Sequence, residues 1–246
     1  MAQSLKDKLI QSLKDQKEIF GDDLLEENII NYRRTEIGNN KISEPEALFH
    51  EEWESAENLE QMNNLICNCQ KCSLGATRNK FVFGSGNPTA NAMCIGEGPG
   101  ADEDAQGLPF VGRAGKLLTD ILKAIDFSRD EDVYIANIVK CRPPGNRTPL
   151  PVEMETCMPY LKKQIELIKP KVILCLGLTA AQGLLKKRDS LTNMRGNVFD
   201  FDTGKFNTKL MVTYHPAALL RNPNWKRPCW EDVQKFRKLY DELTSS

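Results

Sequence analysis

Cys94-Ile95-Gly96-Glu97-Gly98-Pro99-Gly100-Ala101-Asp102-Glu103-Asp104 is followed, after two residues, by Gly107-Leu108-Pro109-Phe110-Val111-Gly112-Arg113-Ala114-Gly115. The opening residues end a short apolar run, the pattern of a buried strand. Glycines and a proline interleaved with acids then form a tight loop, and glycine lets a backbone approach a ligand closely. A second glycine-framed turn leads into Lys116-Leu117-Leu118-Thr119-Asp120-Ile121-Leu122, which has helical spacing. Strand, loop and helix in this order is the layout in which α/β proteins bind ligands at the carboxyl ends of strands. The same layout also serves as a plain connection. The loop is neither a Walker A loop nor a Rossmann fingerprint, because it lacks their glycine spacing and the Lys-Ser/Thr pair.

Three further apolar runs, 133–139, 171–177 and 209–214, join 92–96 as expected strands. Helical patterns lie between and after them, at 115–125, 152–168, 178–187 and 230–243. Strands alternating with helices imply a parallel sheet covered on both faces. Its carboxyl edge would collect Glu97, Asn137, the Gly177 turn and His215. Asn137 lies within an apolar run, where an amide is costly unless hydrogen-bonded. It reads either as a structural amide or as a site residue. His215 is one of two histidines; the other, His50, lies far upstream.

The length of 246 residues suits one substantial domain with an extension, or two small domains. The longest apolar run, 172–178, is too short to span a bilayer, and the first twenty residues lack a signal peptide's apolar core. A cytoplasmic protein with no membrane contact is expected. Eight cysteines in a reducing compartment point to metal or cluster ligation for some of them, not to a disulfide framework. Residues 1–60 carry 15 acids and 7 bases, against 19 acids and 26 bases in the remainder. An acidic leader on a basic body suggests a polyanion as partner for the body.

Residues 1–33 and 46–66 have helical spacing, the latter through Leu48, Phe49, Trp53, Leu59 and Met62, with a linker at 33–45. Cys69 and Cys72 form a CxxC pair; Cys141 and Cys157 follow far downstream, with fifteen residues between them. Spacing alone leaves an iron–sulfur cluster, zinc and buried cysteines all open. Cys94 and Cys175 sit in strand patterns and read as core, while Cys67 and Cys229 have no assignment. Arg142-Pro143-Pro144-Gly145-Asn146-Arg147 is a rigid basic loop suited to phosphate contact. Arg221 to Arg227 is another, and Leu219 and Leu220 beside it read as core residues or as an apolar wedge.

Together these motifs resemble the family-4 (type a) uracil-DNA glycosylases, the iron–sulfur branch of the uracil glycosylase superfamily. The resemblance covers about residues 64–243. It rests on CxxC followed by Ser73-Leu74, Gly96-Glu97-Gly98-Pro99-Gly100 with Glu103-Asp104, and Pro109-Phe110-Val111-Gly112-x-Ala114-Gly115. It continues through Asn137-Ile138-Val139-Lys140-Cys141-Arg142-Pro143-Pro144, Cys157, and His215-Pro216-x-x-Leu219-Leu220-Arg221-Asn222-Pro223. It implies a three-layer αβα sandwich around a four-stranded parallel sheet in residues 63–246. Residues 1–62 would be an acidic extension, helical or partly disordered. It further implies a [4Fe–4S] cluster on Cys69, Cys72, Cys141 and Cys157, and a monomer that flips uracil out of single- or double-stranded DNA and hydrolyses its glycosidic bond.

Carried over residue by residue, Glu97 would position the attacking water and Asn146 would act near the water or the DNA backbone. His215 would stabilise the departing uracil. Phe110 would stack on the base, Asn137 would read its edge, Glu103 would block a thymine methyl, and Gly96 and Gly98 would border it. Arg142, Arg147, Leu219, Leu220 and Arg221 would face DNA. The best-known family-1 enzymes have a catalytic Asp where Gly98 stands, so the water-activating group is the open assignment. No histidine lies between Cys141 and Cys157, which favours hydrolysis over the covalent trapping of a histidine-bearing relative.

Overall fold

A computed structural model describes residues 51–245. Strands β1 (Ser85–Gly86), β2 (Ala92–Gly96), β3 (Val133–Asn137), β4 (Val172–Leu176), β5 (Val198–Asp202) and β6 (Asn207–Thr213) form one sheet. Their order across it is β1-β3-β2-β4-β6-β5. The four inner strands are parallel, with Ala92 opposite both Val133 and Val172, and Val172 opposite Lys209. Every residue of β2, β3 and β4 is buried, as a parallel sheet with both faces covered requires.

Successive side chains of a strand point to opposite faces, and the core divides accordingly. Met93, Ile95, Ile173 and Cys175 join the layer of helices α1 (Leu59–Ile66), α2 (Ser73–Thr77), α5 (Pro151–Ile168), α6 (Leu178–Leu185) and α7 (Leu191–Met194). Ala92, Cys94, Val172 and Leu174 join Leu118 and Leu122 of α4 (Arg113–Lys123), Leu219 of α8 (Pro216–Arg221) and Phe236 of α9 (Lys226–Thr244). Cys94 and Cys175 are thus core residues. The short α3 (Ala101–Gln106) lies within the opening glycine loop, with Asp102, Glu103 and Asp104 in its first turn, where the helix dipole favours acids.

The expected parallel strands and the sandwich are present, and the sheet is mixed because β1 and β5 add antiparallel edges. β5 escapes a search for continuous apolar runs because it alternates: Phe201 points inward while Val198, Asp200 and Asp202 are exposed. Exposed acids suit an edge that must not recruit another strand. α9 starts four residues early, since Pro228 sits in its first turn, where the missing N–H has no helical partner to lose.

The expected helix over 46–66 is broken. A 3₁₀ turn at Glu52–Ser55 precedes α1, whose start is set by Asn58; its side chain accepts the Gln61 N–H at 2.8 Å. Leu48, Phe49, His50 and everything before them in the expected extension lie outside the described residues. The packed body begins before residue 63. Trp53 is buried edge-on against Tyr160 at 4.8 Å, and Lys163 Nζ donates to the Glu54 carbonyl at 2.7 Å. Among the described residues no helix is long and apolar enough to cross a membrane.

Trp53→Ala should therefore lower unfolding stability by about 3 kcal/mol in urea titrations, as loss of a buried indole does. A change within about 0.5 kcal/mol, the range of surface substitutions, would place the 3₁₀ turn outside the cooperative unit.

Candidate active site

Strands β3 and β4 flank β2 on opposite sides, so the sheet order reverses there, and crevices form at such points beyond the carboxyl ends. A cavity of about 470 Å³ opens at this edge. It is walled by Glu97 after β2, Asn137 at the end of β3, Gly177 after β4 and His215 after β6. Gly98, Glu103, Phe110, Asn146, Arg147 and Arg221 also line it. Most of the sequence-predicted residues, from five separate stretches, thus converge, whereas Gly96, Arg142, Leu219 and Leu220 are not part of the lining.

Asn137 is 2% exposed, and its Oδ1 is buried with no hydrogen-bond partner among the described residues. Gly96 opposes it in register; a Cβ at Gly96 would lie 2.5 Å from Asn137 Oδ1 and 2.6 Å from Phe110 Cζ. Glycine here keeps a slot open between an amide and an aromatic ring. Gly98 similarly lets the loop pass Val139, whose Cγ2 a Cβ would meet at 2.6 Å.

His215 caps α8: its Nδ1 accepts the Ala217 N–H at 3.1 Å. In the neutral ring the proton then sits on Nε2. Burial, with Arg221 adding to it and Glu103 opposing, pulls His215 down to about 4. The ring stands 5.6 Å from that of Phe110, tilted by 34°. The site therefore holds a neutral imidazole donor beside an aromatic plane.

The acids divide their work. Glu97 lines the cavity, and its carboxylate has no hydrogen bond or ion pair among the described residues. Glu103 accepts from the backbone N–H groups of Gly100, Val111 and Gly112 at 2.9–3.0 Å, tying the glycine loop to the Phe110 turn. Asp104, fully buried, accepts from Asn79 N and Nδ2 at 2.8 and 2.6 Å. These loop-holding roles carried no sequence signal beyond the acids' place beside glycines.

At the rim, Asn146 (φ 57°) accepts from Arg142 Nε at 2.8 Å, leaving its amide N–H groups uncommitted to that bond. Arg147 is engaged bidentately by Glu153 at 2.7 and 2.9 Å. Glu153 is buried and also accepts from Ser73 Oγ and Leu150 N, and the Arg147 guanidinium holds its carboxyl down at about 2. Leu219 is 1% exposed and belongs to the core under α8, so it cannot face DNA; the wedge-like position falls to Leu220, 39% exposed.

The cysteines of the two expected pairs share one neighbourhood. Tyr160 donates its hydroxyl to Cys69 Sγ at 3.4 Å, and Arg78 Nη1 donates to Cys141 Sγ at 3.3 Å. Cys141 and Cys157 both lie close enough to Cys72 for their charges to interact. All are free thiols, and among the described residues no three His, Cys, Asp or Glu side chains close on a single metal ion. Lys140, fully buried, donates from Nζ to the Asn137 carbonyl at 2.9 Å and to Gln164 Oε1 at 2.6 Å. Burial pulls it down to about 8. It links the cysteine neighbourhood to the strand that carries the slot.

A narrow slot, an unpaired acceptor, a neutral imidazole and a free carboxylate thus meet at the switch point of the sheet. The chain belongs to the uracil DNA glycosylase superfamily, whose family model matches residues 83–236. Within it the chain is similar to the type-4 uracil-DNA glycosylase of Archaeoglobus fulgidus, 43% identical over 187 residues, covering 74% of this chain and 94% of that protein. It is also similar to the type-4 uracil-DNA glycosylase of Thermotoga maritima, 45% identical over 184 residues, covering 74% of this chain and 94% of that protein.

The His215 environment makes a prediction with a definite sign. The unfolded imidazole protonates near its ordinary 6.5, whereas the folded one resists until about 4. Stability attributable to this residue should therefore fall as pH drops through that window. NMR titration of the ring protons should find His215 neutral down to about pH 4. An ordinary midpoint near 6.5 would mean that solvent reaches the ring.

Proposed function

We propose that this protein is a monomeric DNA-repair enzyme that excises uracil by hydrolysing its glycosidic bond, acting on a base flipped out of DNA into the cavity. The observation that carries this reading is the unpartnered Asn137 Oδ1 beside the Phe110 ring. Uracil presents an N3–H donor next to its O4 acceptor, and one side-chain amide answers both. Cytosine presents the reverse pattern. A site built to hydrogen-bond one partner rejects the mismatched analogue by about 10⁴–10⁵. Phe110 covers the ring face. Glu103 stiffens the wall that a thymine methyl would press against.

In the reaction, the bond from uracil N1 to the sugar C1′ breaks with its electron pair moving onto the base. His215 Nε2–H donates to the developing anion; one such preorganised donor is typically worth about 10²–10³ in rate. Glu97 orients the water whose oxygen bonds to C1′ and accepts the proton it loses, with Asn146 on the far rim. Arg142 and Arg221 meet phosphates, Arg147 contributes what its pairing with Glu153 leaves free, and Leu220 fills the gap left in the stack.

Cys69, Cys72, Cys141 and Cys157 would hold a [4Fe–4S] cluster. Two of their sulfurs already accept side-chain hydrogen bonds, as cluster thiolates do, and a four-iron cluster spaces its ligand sulfurs more widely than a single ion. Bound there, it would tie the 67–72 segment to the segment after β3 that carries Asn146 and Arg147 and, through Cys157, to α5.

Steady-state excision from a uracil-containing oligonucleotide by purified, brown, cluster-loaded protein tests the reading. Many abasic sites per molecule are expected, and Asn137→Asp, which faces O4 with a carboxylate, should lose at least about 10²-fold. At most one abasic site per molecule would make the protein a binder of damaged DNA. Wild-type turnover by folded Asn137→Asp would return Asn137 to a structural role.

A further inference from the structure

Phe110 stands in a conformation its residue type rarely takes, with φ at 54°. A left-handed non-glycine residue is strained and persists only where its surroundings over-determine it. Three features do so here. Glu103 Oε1 takes the next two N–H groups, of Val111 and Gly112, at 2.9 and 3.0 Å. Gly115 leaves room, since a Cβ there would overlap the Phe110 carbonyl. The third is Arg129, from the loop before β3. Its Nη1 donates to the Phe110 carbonyl at 2.7 Å and its Nη2 to the Pro109 carbonyl. Nη1 also reaches Thr119 Oγ1 in α4 at 3.4 Å.

The guanidinium fork suits this task, because two adjacent donors in one plane span two successive carbonyls, which a lysine ammonium cannot do with the same geometry. The half-buried charge is directed at peptide oxygens that would otherwise be left unpaired under the turn, not at a ligand. Backbone direction at Phe110 sets where its Cα–Cβ bond points, and Gly96 and His215, which border the ring, then confine its plane. Whatever fixes the 109–110 carbonyls therefore fixes where the Phe110 ring enters the slot.

We propose that Arg129 is a positioning residue for base capture: by clamping the Pro109 and Phe110 carbonyls it holds the Phe110 ring in the plane that stacks on the extruded base. This rests on the stacking role given to Phe110 above. It places a determinant of excision outside the cavity, on a residue that never touches the base. DNA affinity, carried by phosphate contacts, should be insensitive to it, whereas the fraction of bound substrate with its base seated should fall.

A double-mutant cycle on the cluster-loaded full chain separates the possibilities. Arg129→Met should lower kcat at least about fivefold with KM within about twofold, and Arg129→Lys should recover part of the loss. In a Phe110→Ala background, Arg129→Met should change kcat by less than about twofold, since the ring it positions is gone. Thermal midpoints measured alongside report any purely structural cost, which would persist in both backgrounds. If Phe110→Ala excises like wild type, the stacking reading fails and the clamp with it. If Phe110→Ala is slow but Arg129→Met is not, or the two losses multiply, stacking stands and the Arg129 inference is overturned. Should Arg129→Met not fold, Arg129→Gln carries the same cycle.

Discussion

Asn137 Oδ1 is a carbonyl oxygen buried at the end of a central strand with no donor in reach among the described residues, and such an unpaired group costs about 1–3 kcal/mol. The surrounding architecture keeps it in that state. Lys140 Nζ bonds the Asn137 backbone carbonyl and leaves its side chain alone. Gly96, one strand across, offers neither a donor nor a side chain that would fill the slot. The parallel register sets Gly96 and Asn137 side by side, so the slot is a property of the sheet rather than of a mobile loop. A group of this kind is satisfied when a ligand brings the missing donor.

The walls of the slot are held by buried acids and cations that bind backbone. Glu103 and Arg129 grip the Phe110 turn from opposite chemical sides, one taking N–H groups and the other donating to carbonyls. Asp104 fixes the 79–80 backbone, and Glu153 ties Ser73, next to Cys72, to Arg147 at the rim. Through Glu153 and Lys140, the cysteine neighbourhood reaches the cavity along two routes. A cluster there would act on the site by fixing loops, without touching the base.

Much of this was legible in the sequence, for physical reasons particular to each part. Buried parallel strands show as apolar runs, fully in β2, β3 and β4 and over the second half of β6, so all four could be located, and their carboxyl ends mark the edge where the cavity opens. Alternating β5 and two-residue β1 gave no such run. Leu219 and Leu220 are adjacent and alike, and only the packing of α8 separates core from rim. The clamp at Arg129 lies in Ser128-Arg129-Asp130, an ordinary polar loop whose meaning depends on a turn 19 residues upstream. Side chains that act on distant backbone leave little trace in local pattern.

The central claim, that Asn137 Oδ1 reads N3–H of the base, is tested most directly by product inhibition. In 3-methyluracil a methyl group replaces the N3 hydrogen through which this oxygen would be bonded. Uracil should inhibit excision, 3-methyluracil should inhibit at least about tenfold more weakly, and the preference should collapse in Asn137→Ala. Equal inhibition by the two, or a preference that survives in Asn137→Ala, would contradict the account.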